Sequence, residues 1–180
     1  MVYILLAPGF EEAEALVPAD LLRRAGVPVA LVGVEEELVP GSHQIEVKAD
    51  LPLGKVDLTQ ADMVVLPGGL KGVRNLSEHP AVAALIQEAL DRDIWLAAIC
   101  AAPTLLGRLG HLKGKQAVCY PGMENGLTGA IPCPEQAVVV DGKFITGRAA
   151  GASFDFGLKL VEVLAGAGKA EEIRNAVCYR

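Results

Sequence analysis

The apolar residues of this chain come in short unbroken runs that alternate with longer stretches of helical periodicity. Runs of this length, bounded by turn residues, predict strands buried on both faces, and the stretches between them predict helices. The predicted strands, in chain order, are Val2–Ala7, Val29–Val34, Met63–Leu66, Ile94–Ile99 and Gln116–Cys119. The predicted helices are Glu12–Ala25, Pro80–Asp91, Ala102–Leu109, Ser153–Leu164 and Ala170–Ala176.

Two further segments have the pattern of β-hairpins. Leu38–Asp50 is broken by Pro40-Gly41, and Val138–Val140 and Phe144–Thr146 flank the turn signal Asp141-Gly142. Strands separated by helices predict a mostly parallel sheet covered on both faces, which is a doubly wound, flavodoxin-like α/β fold with a small hairpin excursion. No linker divides the chain, so we expect one domain over residues 1–180, with its site at the carboxyl ends of the strands.

Composition and charge exclude several classes of protein. The 180 residues are 52% hydrophobic with a net charge of -6 and no basic run, which excludes disorder and argues against nucleic acid or membrane as a partner. No run approaches ~20 apolar residues, and the N-terminal run is too short for a signal peptide, so we expect a cytoplasmic protein. The 4 cysteines are scattered without a Cys-x-x-Cys pair, which argues against a metal site or a disulfide framework.

Cys100 lies where a predicted buried strand ends and a predicted helix begins. Such a turn lifts a side chain above the sheet, and the free N–H groups of the following helix favour a thiolate. We therefore expect a lowered pKa and a reactive sulfur, with the small Ala101 beside it allowing close approach of a ligand. The alternative is an inert buried cysteine, since most free thiols are buried and unreactive. The position of Cys100 at the strand-to-helix turn favours the functional interpretation.

Three glutamates open the first predicted helix. On helical spacing Glu14 shares an apolar stripe with Val17 and Leu21, so its carboxyl group is expected to be buried, with a raised pKa. A protonated Glu14 could donate a hydrogen bond to a thiolate, although an ordinary acidic turn is an equally good interpretation. For Glu11 and Glu12 we favour the ordinary acidic turn, because carboxylates stabilise a helix N-terminus.

The strand Met63–Leu66 runs into Pro67, Gly68 and Gly69. A glycine pair at a strand end can turn a backbone N–H toward the site, and Gly69 with Ala101 could stabilise negative charge on a carbonyl oxygen. Gly-Gly also marks ordinary turns. There is no G-x-G-x-x-G or Walker motif, so nucleotide binding has no support.

Four stretches together resemble the ThiJ/PfpI superfamily: GFEEAEALVPADLLRRAG, VVLPGG, AAICAAP and TGRAAGASFDFGLKLVEVL. The resemblance runs from Val2 to about Leu164 and is strongest to the branch of the parkinsonism-associated deglycase and its bacterial relatives. It implies a class I glutamine amidotransferase-like domain and a homodimer. It also implies that Cys100 is the reactive, oxidisable cysteine, with Glu14 as its protonated partner.

The same resemblance implies the rest of the site and its chemistry. Gly69 and Ala101 match the backbone oxyanion donors, and Arg148 matches an arginine of the pocket rim, with Gly68 nearby. The implied activities are cofactor-free glyoxalase chemistry and deglycation, acting on small α-oxoaldehydes or glycated protein side chains. The alternative function is a redox-sensing stress protein or chaperone with little turnover.

One position departs from the family pattern. Tyr120 stands where the family commonly has a histidine near the cysteine. The three histidines of this chain, His43, His79 and His111, are expected at the surface or as helix caps. We therefore expect a Cys-Glu mechanism rather than a triad, with Tyr120 in the pocket.

Other positions argue against two related enzyme classes, the peptidases and the glutamine amidotransferases. The peptidase branch has a histidine directly after its nucleophile, whereas Ala101 stands there in this chain. Glutamine amidotransferases need a late histidine, and none follows His111. Cys119 could resolve an oxidised Cys100 into a disulfide, but an inert strand cysteine is the favoured interpretation.

Overall fold

A seven-stranded sheet forms the centre of the computed structural model, which describes all of residues 1–180. Its strand order is β10-β11-β7-β6-β1-β2-β5, and every neighbouring pair is parallel except β10 with β11. Two small sheets, β3-β4 and β8-β9, lie outside it. The strands are β1 Val2–Leu6, β2 Val29–Gly33, β3 Leu38–Pro40, β4 Glu46–Lys48, β5 Leu51–Pro52, β6 Met63–Leu66, β7 Trp95–Ile99, β8 Gln116–Ala117, β9 Ile131–Pro132, β10 Val138–Asp141 and β11 Phe144–Gly147.

Helices cover both faces of the sheet, as the sequence predicts for a doubly wound fold. They are α1 Glu12–Arg24, α2 Leu70–Glu78, α3 Pro80–Asp91, α4 Pro103–Arg108, α5 Ser153–Ala165 and α6 Ala167–Ala176, with 3-10 turns at Leu53–Lys55, Leu58–Gln60, Glu124–Gly126 and Ala150–Ala152. Alternate residues of β1 enter opposite cores, since successive side chains of a strand point to opposite faces. Tyr3 and Leu5 pack with α2, α3 and α4, whereas Ile4 and Leu6 pack with α1, α5 and α6.

Three elements differ from the sequence prediction. Helix α2 was not predicted, because its nine residues are mostly polar and include a glycine. The predicted strand Gln116–Cys119 is wrong as a fifth member of the main sheet: only Gln116–Ala117 is a strand, and it pairs with β9. The N–H of Val118 donates instead to the Thr146 side-chain oxygen, at 3.0 Å. Strand β5 adds an edge to the sheet that the pattern did not predict.

The central strands bring the candidate site together. Strand β1 is followed by α1 on one face, whereas its neighbour β6 is followed by α2 on the other face. Helices that leave adjacent strands toward opposite faces open a crevice at the carboxyl ends, where ligands of such folds bind. The turn after β7, which holds Cys100, lies at the same edge. None of the six helices combines the length and the hydropathy that crossing a bilayer requires.

Candidate active site

Cys100 occupies a strained turn between β7 and α4. Its φ is +65°, a left-handed conformation that a residue with a Cβ rarely adopts. The turn is held on both sides, because the Cys100 N–H donates to Gly147 (2.9 Å) and the Cys100 carbonyl oxygen accepts from Tyr120 (2.8 Å). Strain of this kind persists only where surrounding bonds enforce it, and it concentrates at functional sites. The geometry agrees with the predicted strand-to-helix turn that presents the sulfur.

Glu14 is fully buried directly beside Cys100. One carboxyl oxygen, Oε2, accepts a hydrogen bond from the Gly68 N–H at 2.9 Å, whereas the other, Oε1, is buried with no hydrogen-bond partner of normal geometry. Burial raises the pKa of Glu14 from 4.5 to about 7, with a smaller contribution from the charge of Glu11; hydrogen bonding to Cys100 and Gly68 acts in the opposite direction. The sequence prediction of a buried carboxyl with a raised pKa is confirmed.

The Cys100 thiol and the Glu14 carboxyl depend on one another for their ionisation. Burial, together with the charge and hydrogen bond of an ionised Glu14, raises the pKa of Cys100 to about 12, although the N–H groups of Gly69 and Ala101 lower it. The predicted lowering of the Cys100 pKa is therefore wrong. Protonation of Glu14 would remove the charge that raises this pKa and would let the carboxyl donate to the sulfur, so a thiolate is favoured when the proton lies on Glu14.

Two glycines allow this close arrangement. A Cβ on Gly68 would fall 2.4 Å from Glu14 Oε2 and 2.6 Å from the Cys100 Cβ, so the two side chains meet across a residue that must be small. Gly69 has a φ of +88°, and a Cβ there would lie 2.8 Å from the Glu11 nitrogen. The N–H groups of Gly69 and Ala101 donate to no carbonyl oxygen of the chain, which leaves both free for the sulfur or for a bound ligand.

Above Cys100 lies an open pocket of about 850 Å³. Its walls come from four loops and the start of α2: residues 9, 11, 40–44, 69–71, 100–101 and 120–123. The predicted hairpin excursion thus supplies one wall, because its Ser42 N–H donates to the Phe10 carbonyl and the Gly9 N–H donates to Pro40. A volume of this size admits a small carbonyl compound or the end of a modified side chain.

The predicted pocket residues have different positions. Tyr120 lines the pocket and is half exposed. Gly68 lies beneath it and supports Glu14. Arg148 is exposed at the surface of this chain and does not line the pocket, which corrects its expected place on the rim. Cys119 is buried in the core under α2–α4, whereas Cys100 packs toward the opposite core. That separation agrees with the favoured interpretation of Cys119 as an inert cysteine rather than one that resolves an oxidised Cys100.

Sequence reasoning missed Glu12 and His43 as site residues. Glu12 lies in the acidic first turn of α1, as predicted, but its side chain is buried. His43 is at the surface, as predicted, and its largely exposed ring lines the pocket. Their closest side-chain atoms, Glu12 Oε2 and His43 Nδ1, are 3.1 Å apart. A signal existed in the sequence, because Glu12 shares a helical stripe with Ala15 and Ala19. Nothing local indicates His43 as its partner.

Glu11, Glu12 and His43 are also the one group of side chains whose ligand-type atoms lie within 4.8 Å of one another. Hydrogen bonds already join them: Ser42 Oγ lies 2.9 Å from Glu11 Oε2 and 3.1 Å from Glu12 Oε2. The group is a hydrogen-bonded carboxylate–imidazole pair, Glu12 with His43, with the Glu11 carboxylate beside it. Glu11 and His43 line the pocket, whereas Glu12 is buried beside them in the first turn of α1.

Comparison with known proteins agrees with this arrangement. Residues 1–163 match the DJ-1/PfpI family. The chain belongs to the DJ-1/PfpI family. It is 39% identical over 176 residues to Protein dj-1beta of Drosophila melanogaster, with 97% of this chain and 94% of the relative covered. The Glutathione-independent glyoxalase DJR-1.2 of Caenorhabditis elegans is 31% identical over 178 residues, with 97% and 94% covered.

Solved structures of the DJ-1 superfamily have the same fold. A DJ-1 superfamily protein from Salmonella typhimurium superposes with a TM-score of 0.93 at 35% identity, covering 99% of this chain and 98% of that chain. Drosophila melanogaster DJ-1beta gives a TM-score of 0.93 at 36% identity, covering 99% and 97%. The predicted fold class and the resemblance to the ThiJ/PfpI superfamily are thereby confirmed.

Proposed function

We propose that this DJ-1/PfpI protein is a cofactor-independent enzyme that converts α-oxoaldehydes such as methylglyoxal to hydroxy acids and acts on their early adducts with protein side chains. Cys100 is its nucleophile and Glu14 its proton carrier. One observation carries the proposal: a buried carboxyl group with an unpaired oxygen lies against the sulfur at the floor of an open pocket. This pairing is what a thiol needs in order to attack a carbonyl near neutral pH.

The reaction begins with addition of the thiol to the aldehyde. The Cys100 sulfur forms a bond to the aldehyde carbon, and the carbonyl oxygen takes up the thiol proton, which gives a hemithioacetal. The developing negative charge on that oxygen is stabilised by the free N–H groups of Gly69 and Ala101. Both donors are parts of the backbone, so they stabilise the charge without any rearrangement.

A proton then moves between the two carbon atoms of the adduct. Ionised Glu14 removes the proton from the carbon bonded to sulfur and returns one to the neighbouring carbon, which converts the hemithioacetal to an α-hydroxy thioester. A pKa of about 7 suits both directions, because the group gives up and takes up protons with similar ease near neutrality. Water then cleaves the thioester, releasing the hydroxy acid and restoring the thiol.

The glyoxalase named among the relatives supports this reaction class. Its sequence identity to this chain is 31%, so that name indicates the class of small aldehyde rather than a particular substrate. The homodimer, the single domain over residues 1–180 and the cytoplasmic location expected from sequence remain predictions.

A second function is favoured by the exposure of Cys100. The thiol is half-buried at the pocket floor, within reach of small oxidants, and one solved relative is Toxoplasma gondii DJ-1 in a structure described as oxidized. Under this alternative the chain is a redox sensor or chaperone, and Cys100 takes up oxygen without turnover of aldehydes.

Lactate formation from methylglyoxal, measured in buffer with a chelator, tests the proposal. We expect Cys100→Ser and Glu14→Gln each to reduce turnover at least ~10³-fold, because the thiol and the carboxyl act as a pair and neither is effective without the other. Cys178→Ser is the matched control, since Cys178 is exposed and outside the pocket. Activity retained in Cys100→Ser would refute the proposed cysteine-dependent activity. Absent turnover in the wild type, with peroxide oxidising Cys100 alone, would establish the sensor instead.

A further inference from the structure

The loop of residues 40–45 closes over α1 and carries His43 to the wall of the pocket that contains Cys100. We infer that His43, oriented by Glu12, is the base that activates the water for hydrolysis of the thioester on Cys100. The inference rests on the proposed function and adds to it a separate group for the last step. In this assignment Glu12 is a positioning residue, because it touches the imidazole and not the substrate.

Glu12 is held more firmly than any other carboxylate of the pocket region. Its Oε1 accepts from the backbone N–H of His43 at 2.7 Å and of Ile45 at 3.4 Å, while Oε2 lies 3.1 Å from Ser42 Oγ. Burial alone would raise the pKa of Glu12, but its own backbone N–H and its contacts with His43 and Ser42 lower it to about 2. The carboxylate therefore stays ionised throughout the neutral range.

An ionised Glu12 decides which ring nitrogen of His43 is the base. Nδ1 lies 3.1 Å from Glu12 Oε2 and 2.9 Å from Ser42 Oγ, and that hydroxyl can donate to Glu12. A proton on Nδ1 fits both neighbours and leaves the lone pair of the neutral imidazole on Nε2. No group of the chain donates to Nε2, and the side chain is 70% exposed, so water reaches it. The same division of roles, with a carboxylate on Nδ1 and proton transfer at Nε2, operates in carboxylate–histidine pairs of hydrolases.

The other groups of the pocket are less suited to this step. Glu14 is fully buried beside Cys100, so it is placed to reach the adduct on the sulfur but not a water that arrives from the open side of the pocket. Lys71 carries an ammonium group without a lone pair. Glu11 accepts a hydrogen bond from Ser42 and lies 3.5 Å from His43 Nδ1, on the side of the ring away from Nε2. His43 alone combines a free lone pair, exposure to solvent and a fixed orientation.

The hydrolytic step balances with these groups alone. The water oxygen bonds to the thioester carbon as His43 Nε2 takes one of its protons, and the resulting oxyanion faces the N–H groups of Gly69 and Ala101. The carbon–sulfur bond then breaks, and the departing Cys100 sulfur takes up the proton that Nε2 removed. The net change is the addition of one water molecule, which yields the hydroxy acid and the free thiol.

Rapid-quench kinetics with methylglyoxal, followed by intact-protein mass spectrometry, separate acylation of Cys100 from its hydrolysis. We expect His43→Ala to acylate Cys100 at a rate within about twofold of the wild type, to accumulate one acyl group per chain and to lose ~10²-fold in kcat. Added imidazole should restore part of the lost kcat, which a merely structural role would not allow. His111→Gln is the matched control, because His111 is not part of the pocket.

The pH dependence gives a second readout through Glu12. The charged and titratable groups around His43 are Glu11 and Glu12 from α1, with Lys71, Cys100 and Tyr120 lining the same pocket. Hydrogen bonding to Glu12 and the two carboxylate charges raise the pKa of His43, so hydrolysis should increase with pH through a value above 6.5. Glu12→Gln should move that rise to lower pH and reduce kcat, while acylation is unchanged.

The outcomes distinguish the two levels of the proposal. Wild-type protein that forms neither lactate nor an acyl group on Cys100 overturns the proposed function and this inference with it. If the wild type turns over methylglyoxal, and His43→Ala does so within threefold of that rate without accumulating the acyl group, the inference is overturned. The proposed function is then unaffected. Accumulation of the acyl group in Glu11→Gln rather than in His43→Ala would assign the base to Glu11 and would equally overturn the inference.

Discussion

Glu12 and Glu14 lie in the same first turn of α1 and are both buried, yet their pKa values move in opposite directions. Glu12 receives hydrogen bonds from the loop of residues 40–45 on both oxygens, and its pKa falls to about 2. Glu14 receives hydrogen bonds only from the Gly68 N–H and the Cys100 thiol, and its pKa rises to about 7. Glu14 has no solvent exposure, whereas Glu12 keeps 6% exposure, so the depth of burial and the number of donors together decide the charge.

The difference divides the site into two halves with distinct chemistry. On the Glu14 side, a carboxyl that is neutral or ionised near pH 7 exchanges a proton with Cys100. On the Glu12 side, a permanently ionised carboxylate holds His43 in one orientation. A single helical turn thus supplies a proton carrier and a fixed anion, because its two buried stripes face different neighbours. The predictions below test that division, beginning with the largest effect.

Gly68→Ala should disrupt the Glu14 side while leaving the Glu12 side intact. The added methyl group would fall 2.4 Å from Glu14 Oε2 and 2.6 Å from the Cys100 Cβ, so these side chains must separate. We expect turnover of methylglyoxal to fall at least ~10²-fold and the free energy of unfolding to fall by ~1–3 kcal/mol. Turnover and urea unfolding measure the two effects.

Gly54→Ala is the control for that substitution. A Cβ on Gly54 meets nothing within 4 Å, and its φ is not in the left-handed region, so stability should stay equal or rise slightly. Unchanged turnover in Gly68→Ala would mean that Cys100 and Glu14 need not be in contact, which contradicts the Cys-Glu mechanism.

Glu14→Gln and Glu12→Gln should change the pH dependence of stability in opposite directions. Folding raises the pKa of Glu14 from 4.5 to about 7, so the wild type binds a proton on folding and loses stability as pH rises through that window. Relative to the wild type, Glu14→Gln should gain ~3 kcal/mol between pH 4.5 and pH 7. Urea unfolding at several pH values measures the difference.

For Glu12 the sign is reversed. Folding lowers its pKa from 4.5 to about 2, so its contribution to stability is present above pH 4.5 and is lost as pH falls toward 2. Glu12→Gln should therefore be less stable than the wild type at neutral pH, and the gap should narrow in acid. Parallel pH profiles for the two variants would show that the two carboxyl groups do not differ as described.

The smallest expected effect is a shift in the pKa of His43, followed by the NMR signal of its ring. Because Glu12 is the first cause of the raised pKa, Glu12→Gln should bring it back toward 6.5. Glu14→Gln provides the matched comparison and should leave the His43 titration unchanged, because Glu14 contributes nothing to that pKa. Equal shifts in both variants would mean that the two halves of the site are coupled.

Much of the architecture was predictable because it depends on near neighbours in the chain. The apolar runs predicted four central strands, and helical spacing predicted that Glu14 is buried. The same spacing would have placed Glu12 on a buried stripe, but the acidic cluster favoured an ordinary helix N-terminus. Helix α2 was not predicted because it is only nine residues long, is mostly polar and contains a glycine. Strand β8 lies outside the main sheet, and the N–H of the following Val118 donates to the Thr146 side chain, 28 residues away, rather than to a strand partner.

By itself, the sequence determined the alternation of strands and helices, the turn that presents Cys100 and the burial of Glu14, since each follows from residues within a few turns of one another. Only the tertiary structure decided that His43 reaches the pocket, that Arg148 does not, and that the Cys100 pKa rises. Those outcomes depend on contacts across 31 residues from Glu12 to His43 and 54 residues from Glu14 to Gly68. A pKa depends on the groups and solvent that surround a side chain in space, and folding brings those groups together from distant parts of the chain.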